Sequence, residues 1–190
     1  MTNIPLENVV RMLETLADLH NIDSLHGSRV ADIAVAIGKR VNGGERLDEA
    51  KLRLLECAAR IHDVGRVGVD NLIIAKAGKL TQSQRASMQE HCEIGYNIVK
   101  DALPAEISLT ILHHHERWDG TGYPRGLKEL DIPLFARIVH IADDYDGIIS
   151  ERPYHRAHVA SAALNEMEKQ LTHYDPRLFA MFLHVLREIR

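Results

Sequence analysis

Apolar residues recur at the spacing of an α-helix along almost the whole chain, and this pattern most restricts the fold. In the first such segment, for example, Val10, Leu13 and Ala17 lie on one helical face. The same periodicity predicts helices over residues 6–19, 28–41, 47–62, 81–88, 91–100, 104–115, 132–149, 155–171 and 176–189. No run of alternating apolar and polar residues predicts a strand. The sequence therefore predicts an all-α fold.

Histidines and aspartates typical of a metal site occur at five places along the chain. The series comprises seven side chains, His26, His62, Asp63, His91, His114, His115 and Asp143. Asp143 lies within an apolar helix, where a buried carboxylate is costly unless it is paired or binds a cation. Neutral imidazoles and carboxylates are the ligands that a hydrolytic centre with two metal ions uses. A phosphoester-cleaving enzyme is therefore the leading hypothesis.

Length and composition set further limits. The chain has 190 residues, 45% of them hydrophobic, and we expect one domain over residues 1–190. A formal net charge of −4, with no block of like charge, argues against a nucleic-acid polymer as partner. No apolar segment approaches the ~18 residues of a membrane span, and the first residues do not read as a secretory signal. Cys57 and Cys92 lack metal or redox spacing, so we expect reduced thiols in a cytoplasmic protein.

The segment ILHHHERWDGTGYPRGL is long and unusual, and the turn-forming residues of 117–130 predict a surface loop. With HDVGRVGV, KAGKLT, MQEHCEIGY, IPLFARIVHIADDYDGIISERPYH and THYDPRLF in order, nearly the whole chain resembles the HD-GYP domain. That domain is the cyclic di-GMP phosphodiesterase branch of the HD superfamily. The resemblance implies an all-helical bundle around a di-metal centre. It also implies hydrolysis of cyclic di-GMP to linear pGpG, to GMP or to both, through a hydroxide that bridges the ions.

Matching positions in the family pattern assigns roles to individual residues. The resemblance makes four residues the ligands shared by HD proteins, namely His26, His62, Asp63 and Asp143. It implies that His91, His114 and His115 bind a second ion, which Asp63 bridges to the first. The predicted catalytic residues are Asp63 and Arg66, and the predicted substrate contacts are Gly122, Tyr123, Arg152 and His155. Glu116 and Asp146 are predicted to orient the ligands from behind, and His113 is interpreted as structural.

Three positions depart from the family pattern. Ile22 stands where members with three metals carry a glutamate, so we expect two divalent ions. Iron or manganese is expected first, with zinc, nickel or magnesium as alternatives. Arg66 replaces a lysine and donates a proton poorly, although it can still stabilise phosphate charge. His155 replaces a permanently charged residue, which makes phosphate binding there pH-dependent.

Two other classes of function stay open at this point. One is a module that binds cyclic di-GMP, or a partner such as a diguanylate cyclase domain, with little catalysis; the seven retained ligands argue against it. The other is a phosphohydrolase of a different nucleotide, such as a hybrid cyclic dinucleotide or a phosphomonoester, which the intact Gly122-Tyr123-Pro124 segment disfavours. Such domains usually follow a sensory or receiver module. The apolar stripe of residues 6–19, without an evident core partner, suggests a homodimer contact.

Overall fold

The computed structural model describes residues 5–20, 24–150 and 156–188. These residues form ten α-helices and no strand, which confirms the all-α prediction. The helices are α1 (Leu6–Leu19), α2 (Ser24–Gly38), α3 (Glu49–Arg60), α4 (Asn71–Ile74), α5 (Gln82–Gln89), α6 (His91–Val99), α7 (Ala105–His113), α8 (Leu134–Ser150), α9 (Arg156–Glu168) and α10 (Pro176–Glu188). Short 3-10 turns lie at Gly43–Glu45, Val64–Gly68, Glu129–Asp131 and Leu171–His173. None of the described helices combines the length and apolarity that crossing a bilayer requires.

Prediction and structure differ mainly at the helix ends. α1 has the predicted bounds, and Thr81 caps α5 through a capping box with Gln84. The described part of α2 already includes Ser24, four residues before the predicted start at Ser28. α3 ends at Arg60, two residues earlier than predicted. The His-Asp pair therefore lies just beyond the helix, in the turn that follows it.

Two apolar clusters form the core. The larger one lies between α2, α3, α8, α9 and α10, and includes the fully buried Leu55, Ile138 and Phe182. The smaller one joins α1, α3, α6 and α7 around residues such as Ile107 and Ile111. Burying each of these side chains stabilises the fold by about 1.5–3 kcal/mol. Because α3 contributes to both clusters, the pair at its end lies inside the molecule.

The apolar stripe of α1 has a partner within the chain. Val10 is fully buried in the smaller cluster, and Leu6 and Leu13 pack against the same cluster. Arg60, at the end of α3, donates to the carboxylate of Glu14 over 2.7 Å. The expectation that this stripe lacks a core partner is therefore wrong, because α3 and the Val64–Gly68 turn pack against α1. With that correction, the stripe no longer argues for a homodimer.

Candidate metal centre

Five separate segments bring the seven predicted ligands together. They are His26 in α2, His62 and Asp63 after α3, His91 at the start of α6, His114 and His115 after α7, and Asp143 in α8. The ligand atoms form three overlapping groups, each within 4.8 Å: Asp63, His91, His114 and His115; His26, His62 and Asp63; and His62, His114 and Asp143. Because Asp63 belongs to two groups, its two oxygens can serve two ions at once.

Local helix geometry fixes three of the histidines. His62, His91 and His114 each place Nδ1 at 2.7 to 2.8 Å from the main-chain carbonyl three residues earlier. A carbonyl oxygen can only accept, so each Nδ1 carries the proton and donates it. The Nε2 lone pair of each ring is then free to bind a metal, and this hydrogen bond sets the ring orientation.

Asp63 lies between the histidines. Its Oδ1 is 3.4 Å from His91 Nε2 and 3.9 Å from His114 Nε2. Its Oδ2 is 3.6 Å from His62 Nε2 and 2.9 Å from Nη2 of Arg66. Burial favours the neutral acid, but Arg66, His62 and His91 outweigh it and hold the pKa of the Asp63 carboxyl well below its usual range. Asp63 is therefore a carboxylate at neutral pH.

The other side of the centre is held by two aspartates of α8. His26 Nε2 lies 2.9 Å from Asp143 Oδ1, and His26 Nδ1 lies 2.7 Å from Asp146 Oδ2. Arg29 also donates to Asp146 over 2.8 Å. Burial opposes a charged imidazole, yet the hydrogen bonds with both carboxylates raise the pKa of His26 to about 10. Asp146 thus holds His26 from behind, in the position predicted for it.

The chemistry of these side chains fits divalent cations. Burial lowers the pKa of His115 to about 3 and the pKa of His114 well below its usual value, so both imidazoles keep a free lone pair. His62 Nε2 and Asp63 Oδ1 are buried and find no hydrogen-bond partner among the described residues, whereas Asp63 Oδ2 forms the ion pair with Arg66. A buried polar atom left without a partner costs about 1–3 kcal/mol. Cations bound here would satisfy all of these atoms.

The 117–130 loop folds back over the ligand histidines. The amide of Tyr123 donates to the carbonyl of His115 over 3.2 Å, and the two rings lie 4.8 Å apart. A Cβ on Gly122 would lie 2.5 Å from the same carbonyl and 2.3 Å from the amide nitrogen of Arg117. Only glycine fits at this crossing. The predicted substrate contacts Gly122 and Tyr123 therefore lie directly against His115, a predicted metal ligand.

Glu116 makes a different contact from the one predicted. Its carboxylate is buried and accepts the amides of Arg125 and Leu127 over 2.7 and 3.0 Å. It contacts His113, at 3.5 Å, rather than orienting a predicted metal ligand. The main-chain carbonyls of Ala59, Met88 and Ile111 already orient three of those ligands. Glu116 instead ties the second half of the loop to the end of α7.

Some predicted residues lie outside the described part of the chain, and one contributor was missed. The predicted phosphate contacts Arg152 and His155 fall outside the described residues, as does Ile22. The missed residue is His140, which is buried and lies 3.1 Å from the carbonyl oxygen of His114. A histidine in the otherwise apolar start of α8 was the available signal.

A helical bundle that gathers histidines and aspartates from distant helices around one buried centre defines an HD-type fold. The HD domain family matches residues 11–178, and the chain belongs to this family. A cyclic di-GMP phosphodiesterase of Thermotoga maritima is 34% identical over 192 residues, which cover 97% of this chain and 50% of that protein. The 3′3′-cGAMP-specific phosphodiesterase 3 of Vibrio cholerae is 36% identical over 82% of this chain and 33% of that protein.

The same fold recurs in a solved structure. The crystal structure of the cyclic GMP-AMP-specific phosphodiesterase V-cGAP3 of V. cholerae matches 96% of this chain and 49% of that one, with a TM-score of 0.70 at 20% identity. The chain spans half or less of the length of these relatives. The family match and the named relatives confirm the resemblance to the HD-GYP branch of the HD superfamily.

Proposed function

We propose that this chain hydrolyses a phosphodiester bond of cyclic di-GMP and releases pGpG, GMP or both, with two divalent metal ions. The single observation that carries the proposal is the convergence of the seven predicted ligands around Asp63. The similarity to a cyclic di-GMP phosphodiesterase supports the choice of substrate.

The chain's own residues suit such a reaction. A phosphodiester repels nucleophiles through its negative charge, and two cations held by these ligands would neutralise that charge and activate water. Arg66 lies beside Asp63 and keeps its charge at any working pH, so it adds to phosphate stabilisation without releasing a proton readily. The half-buried ring of Tyr123 offers a flat face on which a guanine base can stack.

Iron or manganese is the proposed metal pair. The predicted ligand set has five imidazoles and two carboxylates and no thiolate, which suits borderline and hard divalent ions better than soft ones. Zinc, nickel and magnesium are the alternatives that elemental analysis would distinguish. We propose two ions rather than three because the three ligand groups share residues.

Hydrolysis of 3′3′-cGAMP is a second candidate activity. It is favoured by the 36% identity to a phosphodiesterase named for that substrate. Both molecules carry a guanine base and two phosphodiester bonds, so the metal centre would act on either one. Residues that contact the second base would decide between them.

The chain covers only part of its relatives, so we also propose that further modules act with it. A sensory or receiver domain, or a diguanylate cyclase domain, is the expected kind of partner. Cys57 and Cys92 are both free and buried, which supports a reducing, cytoplasmic location.

The test combines metal analysis with turnover. Protein purified without oxygen is expected to hold about two ions per chain, and to release pGpG or GMP from cyclic di-GMP when Fe²⁺ or Mn²⁺ is supplied. Asp63→Ala should lose bound metal and all measurable turnover, whereas His184→Ala, at an exposed position of α10, should keep both. Ranking cyclic di-GMP and 3′3′-cGAMP by kcat/KM decides between the two substrates. Full activity of Asp63→Ala would refute the metal mechanism, and metal without turnover would indicate a binding module.

A further inference from the structure

His140 is a buried polar residue of α8 that the metal centre itself does not use. None of the three ligand groups found among the described residues includes it. Only 4% of its surface is exposed. It lies one helical turn before Asp143, so its ring faces the same end of α7 that carries His114 and His115. A buried imidazole in this place needs a physical reason.

The contact of His140 is with the peptide between two predicted ligands. Its Nδ1 lies 3.1 Å from the carbonyl oxygen of His114 and must be the donor, since a carbonyl only accepts. The next carbonyl, that of His115, accepts the amide of Tyr123. α7 has ended at this point, so helical hydrogen bonds no longer fix these peptides. A side chain from α8 therefore holds the link between His114 and His115.

The ring of His140 is itself held in place. Its Nε2 lies 3.8 Å from Oδ2 of Asp144, and the same oxygen accepts the hydroxyl of Tyr174 over 2.8 Å. The ring of Tyr174 stacks on that of Phe179, at 11° and 5.1 Å between centroids. The His140 and Tyr174 rings lie 5.4 Å apart. These contacts from α8, α10 and the turn between α9 and α10 limit the rotation of the His140 ring.

We propose that His140 is a positioning residue for the metal centre. By donating Nδ1–H to the carbonyl of His114, it fixes the peptide between His114 and His115. That peptide sets how the two imidazoles face His91 and Asp63, which complete the same ligand group. The inference rests on the proposed metal centre and adds a residue that acts through its ligands. Groups that orient metal ligands commonly change metal affinity by about 10–100-fold when they are removed.

The test is a titration of metal-free protein with Mn²⁺, with free Mn²⁺ followed by electron paramagnetic resonance. His140→Leu keeps the bulk of the side chain and removes the donor. We expect the Mn²⁺ affinity of the site that contains His114 and His115 to fall about 10–100-fold. The affinity of the site formed by the His26, His62 and Asp63 group should change less than about threefold. His140→Asn places an amide N–H near the position of Nδ1 and should restore the weakened site to within about threefold of wild type. His184→Leu, on the surface of α10, is the control.

The outcomes separate this inference from the proposed function. If wild type binds Mn²⁺ at two sites and His140→Leu leaves both affinities unchanged, His140 does not position the ligands, although the metal centre stands. Equal weakening by the Leu and Asn variants would also overturn the inference, because it would reflect general loosening of the core. Wild type without any Mn²⁺ site would overturn the proposed function and this inference with it.

A second variant covers the case in which His140→Leu does not fold. Tyr174→Phe keeps the stacked ring and removes only the hydroxyl that holds Asp144. It should weaken the same single Mn²⁺ site by about threefold or more, with an unchanged circular dichroism spectrum. An unchanged affinity in this variant would contradict the proposed role of the network.

Discussion

The turn at Val64–Gly68 packs on α6 backbone against backbone, and Gly65 makes this possible. A Cβ at Gly65 would lie 1.9 Å from the carbonyl oxygen of His91 and 2.4 Å from the amide nitrogen of Gly95. Neither atom belongs to a side chain that can rotate away. In Gly65→Ala, α6 must therefore move by roughly 1 Å or more. That shift would separate His91 from Asp63, whose facing atoms are now 3.4 Å apart.

The expected loss of stability follows from this overlap. Overpacking of a core typically costs about 1–3 kcal/mol, and a clash between main chains belongs at the upper end. For a chain of this size, 1 kcal/mol shifts Tm by about 2–4 °C, so Gly65→Ala should unfold about 6–12 °C below wild type. Thermal unfolding followed by circular dichroism gives this shift. Mn²⁺ titration of the same variant should show weaker binding, because its ligands have moved apart.

Gly147→Ala is the matched control. Gly147 lies within α8, and a Cβ there would meet no atom within 4 Å. Replacing a glycine by alanine within a helix stabilises the folded protein by about 0.5–1 kcal/mol, so the Tm of Gly147→Ala should rise by about 1–4 °C. If Gly65→Ala instead melts together with wild type while Gly147→Ala behaves as expected, the close packing of the turn on α6 is refuted.

Two further predictions concern groups away from the metal ligands. Arg137 is buried and donates to the fully buried carboxylate of Asp175 over 2.6 Å. Arg137→Met should therefore lower the free energy of unfolding, measured in urea, by about 3–5 kcal/mol. The matched variant Arg177→Met removes an exposed arginine and should lower the free energy of unfolding by less than about 1 kcal/mol. Equal losses in the two variants would contradict the argument from burial. Burial raises the pKa of Cys57 to about 11 and also raises the pKa of Cys92, so neither thiol should react with Ellman's reagent at pH 8 until denaturant is added. Rapid labelling of the folded protein would show that these thiols are accessible.

The sequence was most informative where helices are long and end in recognisable residues. α1 has the predicted bounds, and the Thr81 cap was predicted because threonine is favoured just before the first turn of a helix. The four residues of α4 were missed because one turn is too short to show a periodicity, although Asp70 caps it. Periodicity also extended the third helix to His62, whereas the helix ends at Arg60, just before the His62-Asp63 pair.

The candidate site was predictable as a set of residues but not as a set of contacts. The order of histidines and aspartates, together with the family resemblance, predicted seven side chains that the structure brings together. No local pattern could show that Glu116 reaches the amides of Arg125 and Leu127, because that contact depends on the path of the loop. The contact of His140 with the carbonyl of His114 spans 26 positions and depends on how α8 packs against α7. Such contacts depend on how distant helices pack in the folded protein, which no local sequence pattern shows.

The wide spacing of the ligands also bears on how the chain folds as it is made. His26 and Asp143 are separated by 117 positions, yet their side chains meet at 2.9 Å. A ribosome that has reached the start of α8 has already produced six of the seven predicted ligands. Until α8 emerges, however, His26 has neither of its carboxylate partners. The ligand group that contains Asp143 is therefore completed only late in synthesis, after the group of Asp63, His91, His114 and His115 has been made.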